Sequence, residues 1–151
     1  SCLSCVAGQY QESAGQHACI ACNTHCAVGE SHSGCGGQSA GSCKACSPGH
    51  YKSSSNALEC TACPTGRFQA AYGAASCRAC FPHTFENQEG SVACQACDYS
   101  CAGGQYHTTC GGPTAGQCAS CAAGKYNTHD GNTTEAACTA CIKGKYNIKE
   151  S

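Results

Sequence analysis

Large apolar side chains are sparse along this chain, and they recur at one kind of place. Six times the sequence reads C-x-x-G-x-[Tyr/Phe]: CVAGQY from Cys5, CSPGHY from Cys46, CPTGRF from Cys63, CAGGQY from Cys101, CAAGKY from Cys121 and CIKGKY from Cys141. Two further copies are altered. CFPHTF from Cys80 keeps Phe85 but has His83 in place of Gly, and CAVGES from Cys26 keeps Gly29 but has Ser31 in place of the aromatic. Polar runs such as QESAGQ, KSSSNA and NTHDGN follow the aromatic. No window sustains the helical period, so the pattern predicts short two-stranded pieces with much irregular backbone. The Gly marks a tight turn at positive φ. The aromatic two residues on starts a short strand and covers a disulfide. The polar run is an exposed turn leading into the next CxxC. The predicted fold class is small and disulfide-rich: an elongated tandem array of short β-hairpin modules with little or no helix.

The cysteines set the beat of this pattern. CxxC pairs begin at residues 2, 19, 43, 60, 77, 94, 118 and 138, in steps of 17, 24, 17, 17, 17, 24 and 20. The stretch CIACNTHCAVGESHSGCGGQSAGSCKAC, from Cys19 to Cys46, has its cysteine spacing repeated from Cys94 to Cys121. Within it, CGGQSAGSCKAC and CGGPTAGQCASC agree at every Cys and every Gly, and at Ala40 against Ala115. A fixed internal period of this kind defines the architecture. Two super-repeats of equal length are expected, residues 2–76 and 77–151, the second with a three-residue insertion near Asn132. The 17-residue beat runs through residue 77, so no linker separates them.

Composition explains what must hold such modules together. Twenty of 151 residues are Cys, well into the range of disulfide scaffolds. Of 62 nominally hydrophobic residues, 20 are Cys, 24 Ala and 7 Tyr, leaving 11 Val, Ile, Leu and Phe. Burying a large apolar side chain stabilises by about 1.5–3 kcal/mol. Ordering each residue costs about 1–2 kcal/mol. Eleven such side chains cannot offset that cost across 151 residues. A bridge closing a loop of about 15 residues supplies about 3 kcal/mol in the chain-entropy account. Bridges persist in oxidising compartments, so an extracellular location, secreted or cell-surface, is expected. Eight Lys and Arg against nine Asp and Glu leave no basic stripe for nucleic acid, and no apolar run is long enough to span a bilayer.

The order Cys, CxxC, x3, C, x8, C, x7, CxxGxY resembles the cysteine-rich modules of tumour-necrosis-factor receptor ectodomains. The plain 17-residue units resemble the related ephrin-receptor-like repeats, whose hallmark is CxxCxxGxY. The resemblance covers nearly the whole chain and implies stacks of small disulfide-bonded modules. It implies the pairs Cys5–Cys19, Cys22–Cys35, Cys26–Cys43, Cys46–Cys60, Cys63–Cys77 and Cys80–Cys94, then Cys97–Cys110, Cys101–Cys118 and Cys121–Cys138. Cys2 and Cys141 are then left over, each with its implied partner outside the segment. Two explanations stand open. The segment belongs to a longer repeat protein, or Cys141 of one copy joins Cys2 of the next, head to tail.

Other constellations are weaker. CxxC pairs can hold zinc, but the extra cysteines interlock them in the receptor-like order and the loops lack a zinc ribbon's aliphatic residues. Redox catalysis by CxxC needs a helix N-terminus, and none is expected. Seven His (17, 25, 32, 50, 83, 107 and 129) fall one per loop without a ligand spacing, so they are expected to be exposed or locally hydrogen-bonded. No catalytic constellation stands out and no enzyme is expected. No cofactor is expected beyond a glycan. Asn132-Thr133-Thr134 is an N-glycosylation sequon, and the 27 Ser and Thr leave room for O-glycans. The leading functional reading is an extracellular structural repeat protein, a segment of a disulfide-stapled filament, stalk or matrix fibre. Its partner would be the same protein, end to end or as neighbouring repeats. The alternative is a cell-surface or decoy receptor ectodomain binding a protein ligand. That reading expects one module to differ, and the nearest candidate is CFPHTFENQEG at 80–90, where Phe81, Phe85, Glu86 and Glu89 cluster.

Overall fold

The computed structural model describes residues 2–128 and 137–146. The insertion near Asn132, and His129, lie outside them. Among the described residues there is no α-helix, and the strands pair two by two as hairpins, with isolated parallel bridges from Tyr10 to Gly37 and from Phe85 to Gly112. Seven two-stranded sheets follow one another: β1 (Gln9–Tyr10) with β2 (Ile20–Ala21), β3 (Glu30–Gly36) with β4 (Ser39–Ala45), β5 (His50–Tyr51) with β6 (Thr61–Ala62), β7 (Arg67–Phe68) with β8 (Arg78–Ala79), β9 (Thr84–Phe85) with β10 (Gln95–Ala96), β11 (Gln105–His107) with β12 (Cys118–Ser120), and β13 (Lys125–Tyr126) with β14 (Thr139–Ala140).

One local rule builds most of them. After the Cys of CxxGx[Tyr/Phe] the chain makes an i→i+3 turn, as in Gln9 N–H to the Val6 carbonyl (3.1 Å) and Lys125 N–H to the Ala122 carbonyl (3.0 Å). The third turn residue is Gly8 or Gly124, each at φ 80°, which is where a type II turn requires glycine. The aromatic then enters a two-residue strand. The closing strand is the pair of residues inside the next CxxC, so Tyr10 faces Ile20 and Tyr126 faces Thr139. The second Cys of that CxxC locks the turn by donating its N–H to the glycine carbonyl: Cys22 to Gly8 (2.9 Å), Cys63 to Gly49 (2.8 Å) and Cys141 to Gly124 (2.8 Å).

The altered motif at Cys80 keeps this geometry without its glycine. His83 takes φ 63°, and it is the one described non-glycine residue at positive φ. Pro82 holds the preceding position, where its fixed φ suits the turn. The Cys97 N–H reaches the His83 carbonyl at 2.9 Å.

The longer hairpin of β3 and β4 is bridged at both ends of its loop region, Cys35 opposite Ala40 and His32 opposite Cys43. Its counterpart between Cys94 and Cys121, β11 and β12, is shorter. There Thr108 Oγ1 accepts the Gln117 N–H at 2.8 Å, so a side chain takes a donor that a ladder would use. Pro113, which stands where the first copy has Gln38, does not disturb the tip: Gly36 and Gly37 (φ 148° and 56°) match Gly111 and Gly112 (φ 146° and 57°).

Two compact units are present: Ser1–Pro64 with Phe68–Arg78 and Glu89–Val92, and Thr65–Arg67 with Ala79–Gln88 and Ala93–Ser151. In the first unit the bridges are Cys5–Cys19, Cys22–Cys35, Cys26–Cys43, Cys46–Cys60 and Cys63–Cys77. In the second they are Cys80–Cys94, Cys97–Cys110, Cys101–Cys118 and Cys121–Cys138. The buried apolar residues of both units are all half-cystines: Cys26, Cys46, Cys63 and Cys77, and Cys101, Cys121 and Cys138. Leu3, Val6, Ile20, Val28, Leu58, Phe81, Val92 and Ile142 are exposed.

Within the first unit, the turn glycines are where successive modules touch. A Cβ on Gly49 would overlap the Gly90 carbonyl oxygen, whereas a Cβ on Gly8 would meet nothing within 4 Å. Both sit at φ near 80°. Gly8→Ala is therefore expected to cost only the left-handed strain, about 1–2 kcal/mol. Gly49→Ala adds an overlap of the kind that costs about 1–3 kcal/mol. Thermal unfolding of the two variants, with bridges intact, checks the difference.

Candidate functional site

The repeated surfaces that join modules, together with two free thiols, are where this chain's chemistry resides. Each junction is made first by backbone. In the first unit, the turn glycine of one module donates to the residue after the aromatic of the next: Gly29 N–H to the Lys52 carbonyl (2.9 Å) and Gly49 N–H to the Gln69 carbonyl (2.7 Å). The returning loop closes the contact, with Gly73 N–H on the Cys46 carbonyl (2.9 Å) and Gly90 N–H on the Cys63 carbonyl (2.8 Å). In the second unit the same donors recur as Gly66 to Glu86 (2.7 Å) and Gly104 to Asn127 (2.9 Å).

The residue after the aromatic is also where polar side chains are buried. Lys52, Glu86, His107 and Asn127 are the buried polar residues among those described, and all four hold that position. They work in two ways. Lys52 reaches back to the preceding module, its Nζ donating to the Glu30 carbonyl (2.5 Å) and the Cys26 carbonyl (3.2 Å). Asn127, its equivalent in the second copy, does the same with Nδ2 to the Gln105 carbonyl at 2.9 Å. Gln11, Gln69 and Glu86 instead tie down their own loops. Gln69 Nε2 donates to the Ser76 carbonyl (2.9 Å) while its Oε1 accepts the Ala71 N–H (3.0 Å). Gln11 does likewise with Ala18 and Ser13, and Glu86 Oε1 accepts the Gln88 N–H at 2.9 Å. Sequence reasoning missed this position. The signal was there: a hydrogen-bonding side chain follows every aromatic of the motif.

A polar cluster is found in the second unit. His83 Nδ1 lies 2.9 Å from the Tyr99 hydroxyl, and Tyr99 stands edge-on to the rings of both His83 and His107. His107 is buried, with Nδ1 2.6 Å from the Thr108 carbonyl, so Nδ1 carries the proton. Next to Tyr99, exposed Asp98 has its carboxyl held below the ordinary 3.8 by the Ser100 N–H, then by the Ser100 hydroxyl, with a smaller contribution from His107.

The site residues expected from sequence are placed as follows. Eighteen cysteines are in the nine bridges described above, so no CxxC pair presents two free thiols to a metal or substrate. Cys2 is free and exposed; Cys141 is free and half-buried. Asn132 lies outside the described residues. In the odd module Phe81 is exposed and Phe85 half-buried, but Glu86 is buried, which corrects its inclusion among surface anchors. Its carboxylate is turned inward because it caps its own loop. Among the described residues, no helix is long and apolar enough to cross a membrane.

With this geometry established, comparison with known families gives one match. Residues 35–76 match the family described as tyrosine-protein kinase ephrin type A/B receptor-like. The matched segment holds β4 to β7 and two of the CxxGx[Tyr/Phe] turns, at Cys46 and Cys63. This segment is similar to that family, and it lies within a tandem array of small disulfide-bonded hairpin modules. No curated protein matches the chain.

The reach of Lys52 across a junction is testable. Lys52→Ala removes the donor from the buried Cys26 carbonyl and the part-buried Glu30 carbonyl and is expected to destabilise by about 2 kcal/mol. Lys44→Ala, at an exposed position, is expected to leave the melting temperature unchanged. Calorimetry on the oxidised variants reads both.

Proposed function

We propose that the chain is an extracellular structural repeat, a segment of a disulfide-stapled filament, stalk or matrix fibre that associates end to end. The observation that carries this reading is the repeated junction. The same backbone donation recurs from module to module, at Gly29 and Gly49 in the first unit and at Gly66 and Gly104 in the second, so surfaces that would serve recognition are spent there on stacking. Arrays built from nearest-neighbour contacts extend in one dimension. Nine bridges in a chain without an aliphatic interior support an oxidising, extracellular setting. The ephrin-receptor-like match over residues 35–76 supports the same setting. An N-linked glycan at Asn132 belongs to this proposal, and no catalytic role does.

A second reading has its own observation. The turn Phe81–Pro82–His83–Thr84 combines an exposed aromatic with left-handed backbone at a non-glycine residue. Strain of this kind concentrates at sites of function. An ectodomain that binds a protein ligand through that turn would fit both this and the receptor-like match.

Electron microscopy of purified material, paired with electrophoresis with and without reductant, separates the two. The structural reading expects strings of modules longer than one chain. Discrete single chains, with Phe81→Ala abolishing capture of a soluble protein, would establish the receptor reading instead.

A further inference from the structure

The two copies of the repeat share their bridge pattern but differ sharply at one place. The first copy reads CVAGQY from Cys5 and CNTHC from Cys22. The second reads CFPHTF from Cys80 and CDYSC from Cys97, and only the cysteines are the same.

The scaffold does not call for these changes. Asn23 Oδ1 accepts the His25 N–H at 3.1 Å, and Asp98 Oδ1 accepts the Ser100 N–H at 2.9 Å. The amide already makes this turn, so the charge of Asp98 is additional. Gly8 takes φ 80° at no steric cost, whereas His83 is held at φ 63° against the preference of its side chain. With that strain comes a contact: His83 Nδ1 lies 2.9 Å from the hydroxyl of Tyr99, where the first copy has Gly8 and Thr24. The turn that carries His83 is closed twice. The Phe81 carbonyl accepts from the Thr84 N–H at 3.1 Å and from the Thr84 hydroxyl at 2.7 Å. Phe81, 63% exposed, is therefore presented on a fixed turn, which lowers the cost of ordering it on binding.

The hydrogen-bonding capacity left over at this place is mostly acceptor. A carboxylate has about four acceptor sites. Ser100 uses two of those on Asp98, with its N–H and its hydroxyl, and two remain. With the His83 proton on Nε2, Nδ1 takes the Tyr99 hydroxyl proton, and the phenol oxygen keeps its lone pairs. Between Arg78 and Lys125 the sequence has no lysine or arginine, while it has Glu86, Glu89 and Asp98. The groups that hold Asp98 in its charged form are Ser100 and His107, and no lysine or arginine is among them. Spare acceptors, negative charge and an exposed aromatic ring are matched by a group with donors, positive charge and a flat face. A guanidinium has all three: five N–H donors, no acceptor, and a plane that stacks on aromatic rings.

We propose that this surface of the second unit binds an arginine side chain presented by a partner protein. The guanidinium forks onto the Asp98 carboxylate and donates to the Tyr99 oxygen, and Phe81 supplies the apolar surface beside it. His83 is a positioning residue that holds the Tyr99 hydroxyl. This rests on the receptor reading above and names the chemistry of its partner.

The test titrates the full, oxidised chain with acetyl-Gly-Arg-Gly-amide and follows its resonances. The same peptide with citrulline is the neutral isostere, and the same peptide with lysine separates a guanidinium from an ammonium. Saturable shifts are expected at Phe81, His83, Asp98 and Tyr99, and none at Val6, Gly8, Asn23 and Thr24. The citrulline peptide is expected not to bind, and the lysine peptide to bind more weakly than arginine. Asp98→Asn keeps the turn that Asn23 makes in the first copy and is expected to weaken binding about tenfold or more. Tyr99→Phe keeps the ring and is expected to weaken it by less. Absence of saturation, equal shifts in the two copies, citrulline or lysine binding as well as arginine, or an Asp98→Asn chain that binds like wild type would each overturn the proposal. The receptor reading is decided separately by capture with Phe81→Ala. A partner that needs Phe81 but binds Asp98→Asn equally well keeps that reading and rejects the arginine site. Arginine binding without any Phe81-dependent capture keeps the site and rejects that reading.

Discussion

Sulfur cross-linking is the constraint from which the rest of this structure follows. Among the described residues, the buried apolar ones are half-cystines, while the Leu, Val and Ile side chains face water. A module of this kind needs little more than a turn, two ladder rungs and a bridge to hold its shape. That freedom explains the polar, variable loops between motifs. It also explains why the positions that recur from module to module are the turn glycine and the aromatic: the first is fixed by left-handed backbone and close approach, the second by the strand it opens.

Because no module has an interior of its own, polar groups take part in holding neighbours together. Lys52 and Asn127 occupy equivalent places in the two copies and make equivalent bonds to the carbonyls of Glu30 and Gln105. A lysine and an asparagine can substitute for each other there because the task is donation to a carbonyl, not charge. Burying an ammonium group is costly unless it is well hydrogen-bonded. Lys52 meets that condition with two acceptors, and Asn127 does the same task without a charge.

Much of the fold was legible in the sequence. The cysteine steps and the Gly-x-aromatic motif mark each turn and each two-residue strand, because both are local and both depend on residues of unmistakable type. The absence of helical period likewise matches the hairpins found. The lengths of β3 and β11 were not legible, since the difference turns on Thr108 capturing one N–H. The residue after each aromatic was also missed. Polar side chains there look like the start of an exposed run, and burial depends on the approach of a neighbouring module. Glu86 looked like a surface anchor for the same reason.

The most direct test of the central claim is the amide spectrum of the chain before and after complete reduction and alkylation, in buffer without denaturant. With cystines as the core, the dispersed resonances of all modules are expected to collapse together into the narrow range of an unfolded chain. A reduced and alkylated chain that keeps its dispersion would show that another interior holds the fold.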